Sequence, residues 1–235
     1  MSISTEPGRR SGADTSVTTI GVESVSGGRV RVTLDARCSP QRPVIRPMLL
    51  SSTTSSARVS LVPEGALLLA GDAIRLEVFV GPGVRLDLVE PGGTVAYDMR
   101  GGSASWDVVA DLGDGAELVW HGEPFVCGAG SDVARTTTVN LGSGAVCALR
   151  ETLVLGRHGE PGGRLTQRFV SPLLRDDLLL GHPLVLGGRR VLSSITLLGR
   201  RMDTGMQLEQ EGTVLRVLGD ETHLTVPAEA WRAVS

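Results

Sequence analysis

The tripeptide His-Gly-Glu occurs twice in this chain, at residues 121–123 and at residues 158–160. In an extended strand, side chains two positions apart point to the same face, so each copy can present an imidazole beside a carboxylate. Nitrogen and oxygen ligands of this kind suit a borderline divalent cation such as nickel or zinc. The alternative is that both copies are polar turn residues that point into water. The candidate ligands are His121, Glu123, His158 and Glu160.

Residue patterns typical of enzyme active sites are missing from the sequence. All 23 basic residues are arginine, which leaves no lysine for a Walker A loop, a pyridoxal phosphate Schiff base or other lysine catalysis. His121 and Glu123 resemble the His-x-Glu of zinc deaminases, but those enzymes need a downstream Pro-Cys-x-x-Cys, and here only Cys127 follows in range. Neither a Gly-x-Ser-x-Gly elbow nor a Ser/His/Asp set is present. The sequence therefore predicts a protein without enzymatic activity and without a tightly bound cofactor.

The amino-acid composition argues against two classes of partner, nucleic acids and membranes, and favours one cellular compartment. A net charge of −3 and only seven aromatic residues argue against a nucleic-acid surface, which needs a basic stripe and stacking platforms. No apolar run approaches the roughly 18 residues of a membrane span, and the N-terminus lacks the apolar core of a signal peptide. Cys127 and Cys147 either pair across a turn or are buried as small apolar side chains. We therefore expect a cytoplasmic protein with no nucleic-acid or membrane partner.

Three Gly-x-Gly turns organise the middle of the chain. They lie at residues 81–83, 113–115 and 142–144, about 30 residues apart, and each stands between two runs in which apolar and polar residues alternate. Such alternation predicts strands, and a repeat of this length predicts one unit stacked on copies of itself. We expect a mostly β fold, an elongated stack of β-hairpins that is β-superhelical or barrel-like, with one or two short helices. The clearest helix signal is at residues 227–232.

The pattern predicts one domain preceded by a tail. Residues 1–28 are rich in Ser, Thr and Gly without periodicity and are expected to be flexible, whereas residues 29–235 are expected to form a single β domain. Two apolar runs, residues 178–180 and 191–198, belong either to the core or to a surface for permanent partners. Because such a surface exposes apolar area, we expect the isolated protein to be poorly behaved in solution.

Several short motifs occur in the order found in urease accessory proteins of the UreD (UreH) type, which the chain resembles over roughly residues 29–190. They are Pro-Val-Ile-Arg-Pro at 43–47, Gly-Asp-Ala-Ile at 71–74, the turn at 81–83, Pro-Gly-Gly-Thr-Val-Ala-Tyr at 91–97, Trp120 followed by Glu123, the segment 151–157 that ends in Leu-Gly-Arg, and Gly159-Glu160. One departure is Val89-Glu90, which stands where the family usually has a Thr pair.

This resemblance implies a mostly β accessory protein that binds apo-urease and a UreF-type partner, which in turn recruits a nickel-carrying GTPase of the UreG type. It also implies a water-filled internal passage, with nickel held only in transit. Glu123 and Glu160 match acidic positions of the family and are the first candidates to line such a passage. The weaker candidates are Glu151, Asp72, His121 and His158.

Two further functions stay open at the level of sequence. The repeated turns alone would equally support a general β-structured protein-binding module. A hydrolase that uses Glu123 or Glu160 with its neighbouring histidine is the second possibility.

Overall fold

The computed structural model describes residues 15–40, 42–181 and 183–235. The strands of these residues are β1 (Ser16–Glu23), β2 (Arg31–Arg37), β3 (Val44–Ser52), β4 (Ser56–Glu64), β5 (Ala73–Val80), β6 (Arg85–Val89), β7 (Thr94–Ala96), β8 (Ala104–Leu112), β9 (Glu117–Cys127), β10 (Asp132–Leu141), β11 (Val146–Leu155), β12 (Arg164–Val170), β13 (Arg175–Leu180), β14 (Val191–Leu198), β15 (Met206–Gln207) and β16 (Gly212–Gly219). The helices are a 3₁₀ turn (Pro183–Leu186), α1 (Thr222–Thr225) and α2 (Ala228–Arg232).

The strands form two facing sheets. In the first sheet, the order is β13-β12-β10-β8-β5-β1-β2, and in the second it is β15-β16-β14-β11-β9-β6-β4-β3, with β7 also beside β9. The pairs in the middle of each sheet are parallel, and the outer pairs are antiparallel. The chain therefore alternates between the sheets and winds into stacked coils. The expected mostly β, stacked architecture with short helices is confirmed.

The strand partners differ from the expected hairpins. The Gly-x-Gly turn at 81–83 joins β5, which pairs with β1 and β8, to β6, which pairs with β4 and β9. The turns at 113–115 and 142–144 likewise connect one sheet to the other. Each turn is therefore a corner between the two sheets, and the prediction that its flanking strands pair with each other was wrong.

The three corners stack directly on one another. The amide of Gly113 donates to the carbonyl of Val80 at 2.8 Å, and the amide of Gly142 donates to the carbonyl of Leu112 at 2.7 Å. A Cβ on Gly142 would lie 2.7 Å from the amide nitrogen of Asp114 in the corner below. Glycine is needed at these positions because no other residue leaves room for the next coil.

Inward side chains form rows across neighbouring strands of the second sheet. Two apolar rows lie near the corners, and a polar row lies farther along the same strands. The apolar rows are Leu86, Leu118 and Cys147, followed by Leu88, Trp120 and Leu149. The polar row is Glu90, Glu123 and Glu151. The main hydrophobic core lies between the sheets around the apolar rows.

Strand β1 contradicts part of the predicted tail. It lies within residues 1–28 and inserts between β2 and β5 in the first sheet, with Ile20 and Val22 fully buried. Its signal was weak because the other two inward residues are polar. The hydroxyl of Thr18 is satisfied by donating to the carbonyl of Ile45 at 2.5 Å. Residues 1–14 lie outside the described residues.

The two apolar runs and the two central cysteines occupy defined places in the fold. Run 191–198 belongs to the core, because β14 is buried on both faces, whereas in run 178–180 Leu179 is exposed and Leu180 is buried. Cys127 and Cys147 are free and buried rather than paired. Burial raises the pKa of the Cys127 thiol to about 12, and it also raises the pKa of Cys147. Helix α2 is present within the expected 227–232 segment and begins one residue after Pro227.

Candidate functional site

A β-bulge interrupts the second sheet at the polar row. In the β9–β11 ladder, Arg150 pairs with His121 and Thr152 pairs with Pro124, so Gly122 and Glu123 together oppose Glu151. A Cβ on Gly122 would lie 2.6 Å from the carbonyl oxygen of Arg150, which explains the glycine. A bulge bends the strand and changes the direction of the side chains that follow it.

The neighbouring coil is interrupted at the same level. Strand β6 ends at Val89 and β7 begins at Thr94, and both lie beside β9. In the gap between them, Glu90 accepts the Trp120 indole N–H at 2.9 Å and the Glu123 amide at 3.0 Å. The Glu90 carboxylate thus satisfies an amide that the bulge removes from the ladder. Burial raises the pKa of Glu90, while these hydrogen bonds oppose the rise.

A cavity of about 40 Å³ lies between the sheets at this level. That volume is enough for about one to three water molecules. Its walls combine aromatic rings, threonine hydroxyls and five charged side chains. The charged residues are Glu90, Glu123, Arg135, Arg150 and Glu151.

Arg135 supplies the positive charge on the first-sheet side of the cavity. It points inward from β10 in a row that also contains Trp106 and Gln167. Its guanidinium lies 3.0 Å from a Glu151 oxygen, donates to Gln167 Oε1 at 3.3 Å, and sits 4.6 Å from the centre of the Phe125 ring. Gln167 also donates to the second Glu151 oxygen at 3.2 Å. The interior charge of Glu151 is therefore paired and hydrogen-bonded.

Arg150 and His121 lie at the bulge on the outer face of the second sheet. Arg150 donates to the Gly122 carbonyl at 3.1 Å and lies 3.4 Å from Glu123 Oε1. His121 Nε2 is 3.7 Å from the same oxygen, so this tripeptide does bring its imidazole and carboxylate near each other. Burial and the charge of Arg150 lower the pKa of His121, and Glu123 opposes them.

The remaining predicted ligands lie away from the cavity. Glu160 belongs to the loop after β11, where it pairs with Arg157 at 2.5 Å, and His158 is exposed in the same loop. Asp72 precedes β5, accepts the Leu69 amide at 2.7 Å and lies 3.5 Å from Arg42. The structure thus brings Glu123 and Glu151 together at the cavity, with His121 beside Glu123, and separates Glu160, His158 and Asp72 from them.

Glu90 and Arg135 are site residues that sequence reasoning missed. Glu90 was noticed only as a departure from the family pattern. A signal was present, because an acidic residue at an inward position of an alternating strand marks a buried polar site. Among the described residues, no group of three or more His, Cys, Asp and Glu side chains is arranged to hold a metal ion. The cavity is suited to water and to weak, single-carboxylate contacts with a cation.

Comparison of the sequence with known protein families assigns this chain to one of them. The model of the UreD urease accessory protein family matches residues 19–232, which is most of the chain. The chain belongs to the UreD family.

Relatives in this family share sequence over most of the chain. Urease accessory protein UreD 1 of Streptomyces griseus is 46% identical over 168 residues, covering 67% of this chain and 66% of the relative. Urease accessory protein UreD of Streptomyces avermitilis is 32% identical over 229 residues, covering 89% and 88% respectively. Membership in the UreD family supports a role in urease maturation. Among the helices of the described residues, none is long and apolar enough to cross a membrane.

Proposed function

We propose that this UreD-family chain assists nickel insertion into urease without catalysing a reaction itself. It binds apo-urease and a UreF-type partner, which brings a UreG-type GTPase, and nickel passes through the cavity between the sheets. The observation that carries this proposal is the group of five charged side chains that line one cavity between the sheets, next to a large hydrophobic core. The cytoplasmic location predicted from the sequence is part of the same proposal.

The side chains that line the cavity suit a metal ion that passes through rather than one that stays bound. A cation in transit needs ligands that release it, and carboxylates with water do so more readily than a closed Cys/His cage. Glu90, Glu123 and Glu151 offer oxygen ligands, while Arg135 and Arg150 offset their negative charge. This arrangement disfavours tight capture of a divalent ion. Glu151 and Glu123 are paired with Arg135 and Arg150, and Glu90 already accepts two N–H groups.

The energetics of burial also support a functional reason for these charges. An interior ion pair such as Arg135–Glu151 is often no more stabilising than apolar residues of similar volume. The apolar rows a few residues away show that this stack can bury hydrophobic side chains at equivalent positions. A polar row at this level is therefore better explained by what it contacts than by its contribution to folding.

The test is nickel loading of urease by accessory proteins that carry Glu123→Gln with Glu151→Gln. Urease is matured in the presence of the variant, and nickel per urease active site is measured by elemental analysis. We expect at least a threefold loss of nickel and unchanged co-purification with the UreF-type partner. The thermal stability of the variant should fall, because Glu151→Gln leaves Arg135 without its carboxylate partner. Full nickel content in the double variant would contradict the proposed route.

Glu160→Gln provides the matched comparison, since Glu160 is an acidic residue paired with arginine outside the cavity. We expect it to leave nickel content near that of the wild type. A loss equal to that of the cavity variant would instead support the prediction from family resemblance that Glu123 and Glu160 share one route. The metal-contacting roles suggested for Asp72 and His158 stay predictions.

A further inference from the structure

The C-terminal helix α2 covers the outer face of the second sheet where β9 bulges. Its Trp231 is 4% exposed and packs in a small hydrophobic cluster that is separate from the main core. The other members of this cluster are Val119, Ala148, Ile195, Leu197, Met202 and Val234. The helix is thus held on the sheet by a limited apolar contact and by a hydrogen bond from Arg200 to the Val234 carbonyl at 3.0 Å.

Trp231 contacts both residues that flank the bulge on this face. Its indole N–H donates to His121 Nδ1 at 3.1 Å, and its ring centre lies 5.9 Å from the Arg150 guanidinium carbon. His121 and Arg150 are direct neighbours across β9 and β11. Because Nδ1 accepts this hydrogen bond, the proton of a neutral His121 is on Nε2, the nitrogen nearest Glu123.

Only one layer of side chains separates Trp231 from the cavity at this point. Arg150 touches Trp231 on the outside, and on the other side it lines the cavity together with Gly122 and Glu123. Its guanidinium is held by the Gly122 carbonyl and the Glu123 carboxylate, both on the bulge. When Trp231 is displaced, Arg150 loses its outer packing and can turn toward solvent.

We infer that α2 is a removable cover whose docking through Trp231 holds Arg150 in place and restricts access to the cavity from the outer face of the second sheet. Displacing the helix frees Arg150, increases the exposure of Glu123, whose side chain is already 35% exposed, and widens the opening at the bulge. Short segments with few buried apolar contacts open at a lower free energy than the core, so this element can exchange while the stack stays folded. The inference rests on the proposed cation route, since it describes how access to that cavity is restricted.

The experiment measures access to the cavity directly, without nickel or urease. The full chain carries Cys38→Ser, which removes its exposed thiol, and Thr137→Cys, which places a thiol in the cavity wall. A small cationic methanethiosulfonate is added, and modification at positions 137 and 147 is followed by mass spectrometry. Cys147, fully buried in an apolar row, reports opening of the whole stack.

We expect Trp231→Ala to raise the modification rate at position 137 at least tenfold, with Cys147 still protected. Arg232→Ala is the matched control on the same helix, because Arg232 is exposed, and it should leave the rate within twofold. Trp231→Phe keeps a ring against Arg150 but loses the N–H to His121, so an intermediate rate is expected. This variant carries the test if Trp231→Ala does not fold.

Two results would overturn the inference. One is a rate at position 137 that stays within twofold of the wild type in the tryptophan variants. The other is an equal increase at positions 137 and 147, which would mean that the stack opens as a whole. Neither result depends on nickel content, so a failure of the cover and a failure of the proposed nickel route are recognised separately.

Discussion

The corner end and the bulge end of the stack use the same strands in opposite ways. Near the corners, Leu86, Leu118 and Cys147 form a fully buried apolar row in an uninterrupted ladder. Four or five residues along the same strands, the ladder is broken by a gap and a bulge, and the row consists of Glu90, Glu123 and Glu151. In the second sheet, the regular part of the ladder accompanies apolar rows, whereas the local break supplies the space and the spare amide that the buried carboxyl groups need.

The largest expected effect comes from placing a charge in an apolar row. Leu118→Asp should destabilise the fold by more than about 4 kcal/mol, because this row has no arginine and no spare amide to satisfy a carboxylate. The measurement is urea unfolding, or soluble yield if the variant does not fold. Leu118→Met is the control and should cost less than about 1.5 kcal/mol. A Leu118→Asp variant about as stable as this control would mean that the two ends do not differ in this way.

The converse change tests the polar end. Arg135→Met alone leaves Glu151 without its positive partner and should cost about 3 kcal/mol. Arg135→Met combined with Glu151→Leu removes the whole pair and should recover stability to within about 1 kcal/mol of the wild type. Unfolding free energies of the two single variants and the double variant provide the double-mutant cycle. Simple additivity of the two single losses would show that the pair is not coupled.

The smallest effect is a pH dependence at Glu90. Because burial raises the pKa of Glu90, the folded state holds its proton more tightly than the unfolded state does. Its contribution to stability is therefore present below about pH 4, near the unfolded pKa, and is lost as pH rises through the folded pKa. Glu90→Gln cannot titrate, so the stability of the wild type relative to this variant should fall as pH rises.

Unfolding free energies of both proteins, measured from about pH 4 to pH 8, check this prediction. His121 also titrates in that interval, but it is present in both proteins and its contribution cancels. A difference that is constant with pH, or that grows in favour of the wild type, would contradict the burial of an ionisable Glu90.

Local pattern was sufficient to predict the strands and the stacking. Alternation around residues 74–80 marks β5, and the repeated glycine turns mark successive coils. The same pattern could not distinguish a hairpin from a corner, because both place a glycine turn between two alternating strands. The choice depends on which distant strand, such as β1 or β8, supplies the backbone partners of β5.

The candidate site was also predictable only in part, because some of its contacts join residues that are far apart in the sequence. Family resemblance indicated Glu123 and, as a weaker candidate, Glu151, and both line the cavity, while their contact with a metal ion stays a prediction. Spacing alone treated His121 and Glu123 as an uninterrupted i, i+2 pair, but the bulge changes the side-chain direction between them, and their proximity depends on it. The pairing of Arg135 with Glu151 depends on contact between the two sheets, which no local pattern contains.

The coil architecture also sets a unit of length inside the protein. Neighbouring strands of a sheet lie about 4.8 Å apart, and Glu90, Glu123 and Glu151 come from three neighbouring segments of the second sheet. The Cα atoms of these three residues are therefore spaced along the stack at intervals of about one strand spacing. Adding or deleting one whole coil would add or remove one position in this row of side chains and leave the spacing of the other positions unchanged.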